Sequence, residues 1–418
     1  MSEPTKKGLV PVLRFPEFRD QGEWKEIKLG QLGNLVQGLT YSPDDIRENG
    51  LLVLRSSNVQ NGEIRLEDNV YVTPNVKGAN LSKPNDILIC VRNGSKALIG
   101  KNALIPEGMP LSTHGAFMTV FRSPSAEFVF QLFQTSAYQS QVDGDLGATI
   151  NSINGSNFVK YKFYVPKSAE QQKIADCLSS VDELVTAQTQ KVEALKAHKK
   201  GLMQQLFPAE GETVPKLRFP EFRDAREWEP KPLGKVAEII TGNTPSTFDS
   251  DNYGGKKLFV SPADISDGRY ITHTKTTLSE QGFSKTRYIP EDSVLFVCIG
   301  STIGKVAQNK FECATNQQIN ALVPLKNYSS GFIYFSLDND ASKIASLAGR
   351  QAVPIINKSL FSSVLVSFPS TDEQQKIAAC LTSIDDLITT QTQKLSALKD
   401  HKKGLMQQLF PSSDEAEA

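Results

Sequence analysis

The sequence predicts an α+β protein with an internal pseudo-two-fold repeat, in which two mixed α/β domains are separated by a long antiparallel two-helix coiled coil. Two repeats predict it. The segment EQQKIADCLSSVDELVTAQTQKVEALKAHKKGLMQQLFP at 170–208 returns at 373–411 as EQQKIAACLTSIDDLITTQTQKLSALKDHKKGLMQQLFP. The lead-in VPVLRFPEFRDQGEWKEIKLG at 10–30 returns at 214–234 as VPKLRFPEFRDAREWEPKPLG. Between the copies lie short β-branched runs bounded by Gly, Asn, Asp and Pro, the pattern of strands with turns between them.

In chain order the organisation is a lead-in at 1–23, a first domain at 24–167, a helix at 168–208, a linker at 209–227, a second domain at 228–370, a second helix at 371–411, and a disordered acidic tail at 412–418. Trp24 and Trp228 open the two domains, which have diverged but align in outline: KLGQLGNLVQG beside PLGKVAEIITG, NDILICVRNGSKALIGK beside DSVLFVCIGSTIGK, STHGAFMTVF beside ATNQQINALV. Asp86 to Val91 and Ser293 to Ile299 read as strands, and EFVFQLFQTSAYQSQV and SGFIYFSLDNDASKIASL as one amphipathic helix each.

The repeated segments carry an apolar seam spaced alternately by four and three. In the first it runs Ile174, Leu178, Val181, Val185, Gln188, Val192, Leu195, then Lys199, Leu202 and Leu206. In the second it runs Ile377, Leu381, Ile384, Ile388, Gln391, Leu395, Leu398, then Lys402, Leu405 and Leu409. That 3.5-residue period is a coiled-coil signature. Polar residues interrupt both seams at the same places, Gln188/Gln391 and Lys199/Lys402, and a buried Gln layer would fix register. Ser168-x-x-Gln171 and Thr371-x-x-Gln374 read as capping boxes, and Pro208 and Pro411 end the helices. A helix packed only on its own domain is the competing reading of each segment.

Composition limits the chemistry. The 46 basic and 46 acidic residues cancel, so a nucleic-acid role rests on local basic surfaces or on partners. The five cysteines include no CxxC pair and the four histidines are scattered, which argues against a metal site or a disulfide framework, and Cys177 and Cys380, at equivalent positions, read as buried apolar thiols. No run of roughly 20 apolar residues suggests a membrane span, so the expected location is the cytoplasm. GSTIGK at 300–305 is one residue short of a phosphate loop and is followed by Val306 where Ser or Thr is needed.

Similar helices bearing divergent heads suit a scaffold that holds two readers at a set separation, and DNA rewards that arrangement because half-sites recur at about 34 Å per helical turn. Through the paired RFPEFRD…EW…LG lead-ins, the VPKSAEQQKIA and FPSTDEQQKIA entries and the HKKGLMQQLFP ends, nearly the whole chain resembles the specificity subunit of type I restriction-modification enzymes. The resemblance implies two target recognition domains, each reading half of a bipartite double-stranded DNA site, and a coiled coil that sets the gap. It implies as partners two methyltransferase (modification) subunits and two restriction/translocase subunits. S-adenosylmethionine, ATP and Mg²⁺ are then expected on those subunits and no cofactor on this chain. The chain contains no Pro-Pro, which an N6-adenine methyltransferase motif requires, so the expectation is a non-catalytic subunit. A fused methyltransferase and a two-headed protein adaptor on a coiled-coil spacer are the other readings.

The expected DNA contacts are loop residues that can donate to guanine, pair with adenine or hold phosphate. In the first domain these are Arg55, Ser57, Asn58, Arg92, Asn93, Ser95, Lys96, Lys101 and His114. In the second they are Ser261, Asp264, Ser301, Thr302, Lys305, Asn316, Gln317, Gln318, Arg350 and Gln351. For any one of them, a turn residue or a satisfied core polar group is the competing reading.

Overall fold

A computed structural model of the chain describes residues 9–146, 151–266, 268–349 and 353–411. The acidic tail, Arg350 and Gln351 lie outside the described residues. The chain divides into two compact units, Met1–Ala187 with Leu395–Ala418, and Gln188–Lys394. Each therefore combines one globular domain with part of both long helices.

In the first unit an antiparallel sheet runs in the order Asn34–Gln37, Met118–Arg122, Ile87–Cys90, Asn102–Leu104. A second sheet runs Ser112–His114, Leu51–Leu54, Val70–Val72, Ile46–Arg47, its first pair parallel. Lys25–Lys28 pairs with Lys162–Val165, joining the two ends of the domain. The second unit repeats this plan with other residues: Ala237–Thr241, Ile319–Pro324, Val294–Val297, Val306–Asn309 in one sheet, and Cys313–Thr315, Tyr253–Val260, Thr276–Leu278 in the other. It adds Tyr270–Ile271 beside Val306–Asn309. The predicted strands at 86–91 and 293–299 are Ile87–Cys90 and Val294–Val297, each fully buried as the continuous apolar runs require.

The two amphipathic helices expected after these sheets are each broken in two. Ala126–Leu132 and Ser136–Asp145 are separated because the Thr135 hydroxyl accepts the Tyr138 N–H and starts a new helix. Ser330–Asn339 gives way to Ala341–Ala345 at Asp340. That first piece is not amphipathic either, since six consecutive residues, Phe332 to Leu337, are buried, the mark of a helix enclosed by the core.

The long helices are Ser168–Leu206 and Thr371–Leu409. Their starts match the sequence reading but their caps do not. The Gln171 and Gln374 amides donate to the carbonyls of Pro166 and Pro369 (2.9 and 3.0 Å), and the Ser370 hydroxyl accepts the Glu373 N–H in place of a Thr371 cap. Both Gln side chains are buried and satisfy the carbonyl that the preceding proline leaves facing the core. After Leu206 and Leu409 the chain leaves the helix, and Phe207 and Phe410 turn inward.

Each helix is domain core for its first turns and helix seam thereafter, so both readings of the repeat hold in different places. Ile174 and Leu178 pack with Trp24 and Phe128, and Ile377 and Leu381 with Trp228 and Phe332. Val181, Gln188 and Val192 are buried, whereas Val185, Leu195, Ile384, Ile388, Gln391, Leu395 and Leu398 are half-buried. The helices pack antiparallel within each unit. In the second unit the Gln188 amide donates to the Gln391 side-chain oxygen (3.0 Å) and to its backbone carbonyl (2.9 Å), the polar layer the sequence suggested. The lysines that interrupt the seam are paired across it: Lys199 with Asp385, and in the first unit Lys402 with Asp182, both at 2.6 Å.

The lead-ins explain why two distant words recur together. Arg14 forks onto the carboxylate of Glu170 (2.8 and 2.7 Å) and Arg218 onto that of Glu373 (2.7 and 2.7 Å), a bidentate geometry that fixes orientation as well as distance. Trp24 meets Phe410 edge-on at 6.3 Å, and Trp228 meets Phe207 edge-on at 6.0 Å. The RFPEFRD…EW, EQQKIA and LFP words are thus the parts of one joint, built once in each unit. Cys177 and Cys380 are half-buried beside the seam, not enclosed as expected; Cys90, Cys298 and Cys313 are the buried thiols. Among the described residues no helix is long and apolar enough to cross a membrane.

Candidate nucleic-acid interface

Three loops converge at one end of the first domain's sheets. The loop after Leu51–Leu54 carries Arg55, Ser56 and Ser57; the loop after Ile87–Cys90 carries Arg92 and Asn93; the turn between Ser112–His114 and Met118–Arg122 carries Phe117. Asn93 ties two of them by donating to the Ser56 hydroxyl (3.2 Å), and the Arg92 guanidinium stands 5.8 Å over the Phe117 ring. Between them opens a cleft lined by Tyr41, Arg55, Ser57, Asp68, Ala116 and Phe117.

The structure sorts the predicted contacts of this domain. Ser57, Arg92, Ser95, Lys96 and Lys101 are exposed. Arg55 is paired with Asp68 at 2.8 Å, which offsets its charge. Lys101 lines a separate depression with Ala97 and Gln139, away from the cleft. Asn58 and His114 do not reach the surface, each being fully buried. Asn58 holds the loop from inside, accepting the Arg55 N–H (2.9 Å) and donating to the Arg65 carbonyl (2.8 Å). His114 meets the Val36 carbonyl at 2.9 Å, and burial lowers its pKa, so the ring is neutral at neutral pH and offers no charge to a phosphate.

In the second domain the same strand ends bring together the turn at Ser301 and Thr302, the loop Asn316 to Gln318, and the segment around Thr244. Asn316 accepts the Gln318 N–H (3.1 Å), the Gln318 amide donates to the Ile299 carbonyl (3.2 Å), and exposed Gln317 accepts from the Thr244 hydroxyl (2.8 Å). Ser301 is exposed and Thr302 half-buried. Ser261, Asp264 and Lys305 are occupied with the fold: Asp264 accepts from Ser261 N–H and hydroxyl (2.8 and 2.6 Å) and from the Lys275 N–H (2.8 Å), and Lys305 donates to the Ile265 carbonyl (2.8 Å).

Sequence reasoning missed Tyr41 and Phe117, which line the first domain's cleft, and Asn243 and Thr244, which hydrogen-bond to neighbouring loops of the second. An aromatic beside a strand reads as core, and only exposure reveals the difference. Two glycines in matching words, Gly38 of LVQG and Gly242 of IITG, would have given a clue. A Cβ on Gly38 would collide with the Gly115 carbonyl, and one on Gly242 with the Thr315 hydroxyl and the Asn316 carbonyl. Gly242→Val is expected to cost about 1–3 kcal/mol and to displace the Asn316–Gln318 loop; urea unfolding of the variant, with wild-type stability as the contrary outcome, checks it.

Residues 21–197 and 225–400 each match the family model of the type I restriction modification DNA specificity domain. The chain belongs to this family. Each matched specificity domain comprises one globular domain and most of the helix that follows. Curated relatives include the type I restriction enzyme HindI specificity subunit of Haemophilus influenzae, 33% identical over 171 residues (40% of this chain and 37% of the relative), and the MjaIX specificity subunit of Methanocaldococcus jannaschii, 28% identical over 169 residues (39% of each). The matches thus span about two fifths of these relatives' length. The crystal structure of the type I restriction-modification system S subunit from M. genitalium superposes with a TM-score of 0.64 at 16% identity, covering 97% of this chain and 100% of that one, a likeness of fold. The two specificity domains of the present chain share one scaffold and differ at its loop ends.

Proposed function

We propose that this chain is the DNA-reading subunit of a type I restriction-modification complex, each specificity domain reading one half of a bipartite double-stranded site. The observation that carries this is the contrast at equivalent loop ends: one scaffold, built twice, presents Tyr41, Arg92 and Phe117 in one unit and Thr244, Ser301 and Gln317 in the other. Base edges are distinguished by such side chains, while phosphate contacts only position the protein. The paired helices serve as the spacer between the readers. Two modification subunits holding S-adenosylmethionine, and two restriction/translocase subunits using ATP and Mg²⁺, supply the chemistry; this chain contributes no catalytic group.

The test is a map of N6-methyladenine in cells carrying this gene with its neighbours, with and without the gene. A bipartite methylated motif that vanishes on deletion supports the reading, and an unchanged map in the presence of the partner subunits overturns it. Exchanging residues 24–167 for another first domain is expected to change one half-site only; a change in both halves would sink independent reading.

A further inference from the structure

Among the loop-end residues of the first domain, Arg92 is distinguished by what holds it and by what it leaves free. Its backbone bridges to Ser152, its Nε donates to the Ser152 hydroxyl (3.4 Å), and its guanidinium lies over the exposed face of Phe117 (5.8 Å). The side chain is exposed, and among the described residues no carboxylate pairs with it. Arg55 differs, since Asp68 already engages its terminal nitrogen at 2.8 Å.

With Nε hydrogen-bonded and the guanidinium over the Phe117 ring, the two terminal nitrogens are left as a fork without a protein partner among the described residues. That fork matches the O6 and N7 acceptors of guanine in the major groove, whereas a lysine ammonium is a point charge suited to phosphate. The strand end that places Arg92 carries Ile299 in the second unit, bridged to Ile355 as Arg92 is bridged to Ser152. At this strand position the second unit thus carries an aliphatic side chain in place of a guanidinium, and the Gln317 amide is exposed on the neighbouring loop.

Resting on the DNA-reading function above, we infer that Arg92 reads a guanine in the half-site of the first domain and that Phe117 is its positioning residue. The experiment selects bound duplexes from a randomised double-stranded DNA pool with the full chain in complex with its modification subunits, for the wild type, Arg92→Ala, Arg92→Lys, Phe117→Ala and Phe117→Tyr. The wild-type motif is expected to hold a fixed guanine in one half. Arg92→Ala and Arg92→Lys are both expected to relax that one position by about tenfold or more, with the other half and the gap unchanged. Phe117→Ala should relax the same position and Phe117→Tyr should restore it, because an aromatic plane is kept. Uniform weakening across all sequences would make Arg92 a phosphate contact and overturn the inference, as would a half-site without guanine, while DNA reading stands. Recovery of no bipartite motif by the wild type would overturn the function itself and this inference with it.

Discussion

Arg218→Met is expected to destabilise the second unit by about 3–5 kcal/mol near neutral pH. The Arg218 and Glu373 side chains are 7% and 1% exposed, so removing the guanidinium strands a carboxylate that water cannot reach. Wild-type Arg218 has its pKa raised mainly by the hydrogen bond to Glu373, the sign of mutual stabilisation. In the variant the Glu373 carboxylate is left buried without its partner, and that uncompensated charge carries the loss. Denaturant titration followed by the fluorescence of Trp228, buried against Phe207 and Phe332, measures it. The double variant Arg218→Met, Glu373→Gln should recover much of the loss, because no charge is then stranded. A variant as stable as the wild type from pH 5 to 8 would show that the joint is not held by this pair.

The legible part of the fold was the part repeated in words. The long helices run from 168 to 206 and from 371 to 409, close to the proline-bounded seams, because a 3.5-residue apolar period over many turns keeps one face of a helix covered throughout. What the seam could not reveal was how its two lysines are paired. Lys199 and Lys402 read as interruptions until Asp385 and Asp182 are seen opposite them. Capping was misassigned for a related reason: Gln171 and Gln374 hydrogen-bond proline carbonyls outside the helix, a tertiary contact that the local spacing does not encode.

The loop ends were half legible. Asn58 and Ser57 are neighbours of similar polarity, yet one is enclosed and braces the loop while the other projects from it. Side-chain direction separates them, and direction follows from the strand pairing of Ser112–His114 with Leu51–Leu54, a long-range contact. Phe117 was passed over for the opposite reason, since an apolar ring in a strand-flanking word suggests burial and here is 59% exposed. Polar type alone therefore selects too many supports and overlooks exposed aromatic rings such as Phe117.

Lengthening both long helices by three heptads is expected to move the two half-sites apart by about nine base pairs. The insertions belong after Ala187 in the first helix and before Leu395 in the second, which leaves Gln188 on Gln391 and Lys402 on Asp182 as they are. Three heptads at about 1.5 Å per residue add roughly 32 Å, close to the 34–36 Å of one DNA turn, so the proposed readers should keep nearly their former rotational setting about the duplex. A single heptad adds about 10 Å, or roughly three base pairs at 3.4 Å each, but the DNA rotates much further over that distance than the roughly 20° a heptad drifts. The one-heptad variant should thus bind more weakly than the three-heptad variant despite the smaller change. Inserting in one helix alone shifts the seam by a heptad and separates one of those pairs, so it should loosen the fold without setting a new gap. Circular dichroism establishes that the added turns are helical, and selection from a randomised duplex pool reads the gap. A helical three-heptad variant that keeps the parental gap would sink the spacer role of the helix pair, whatever the loops read.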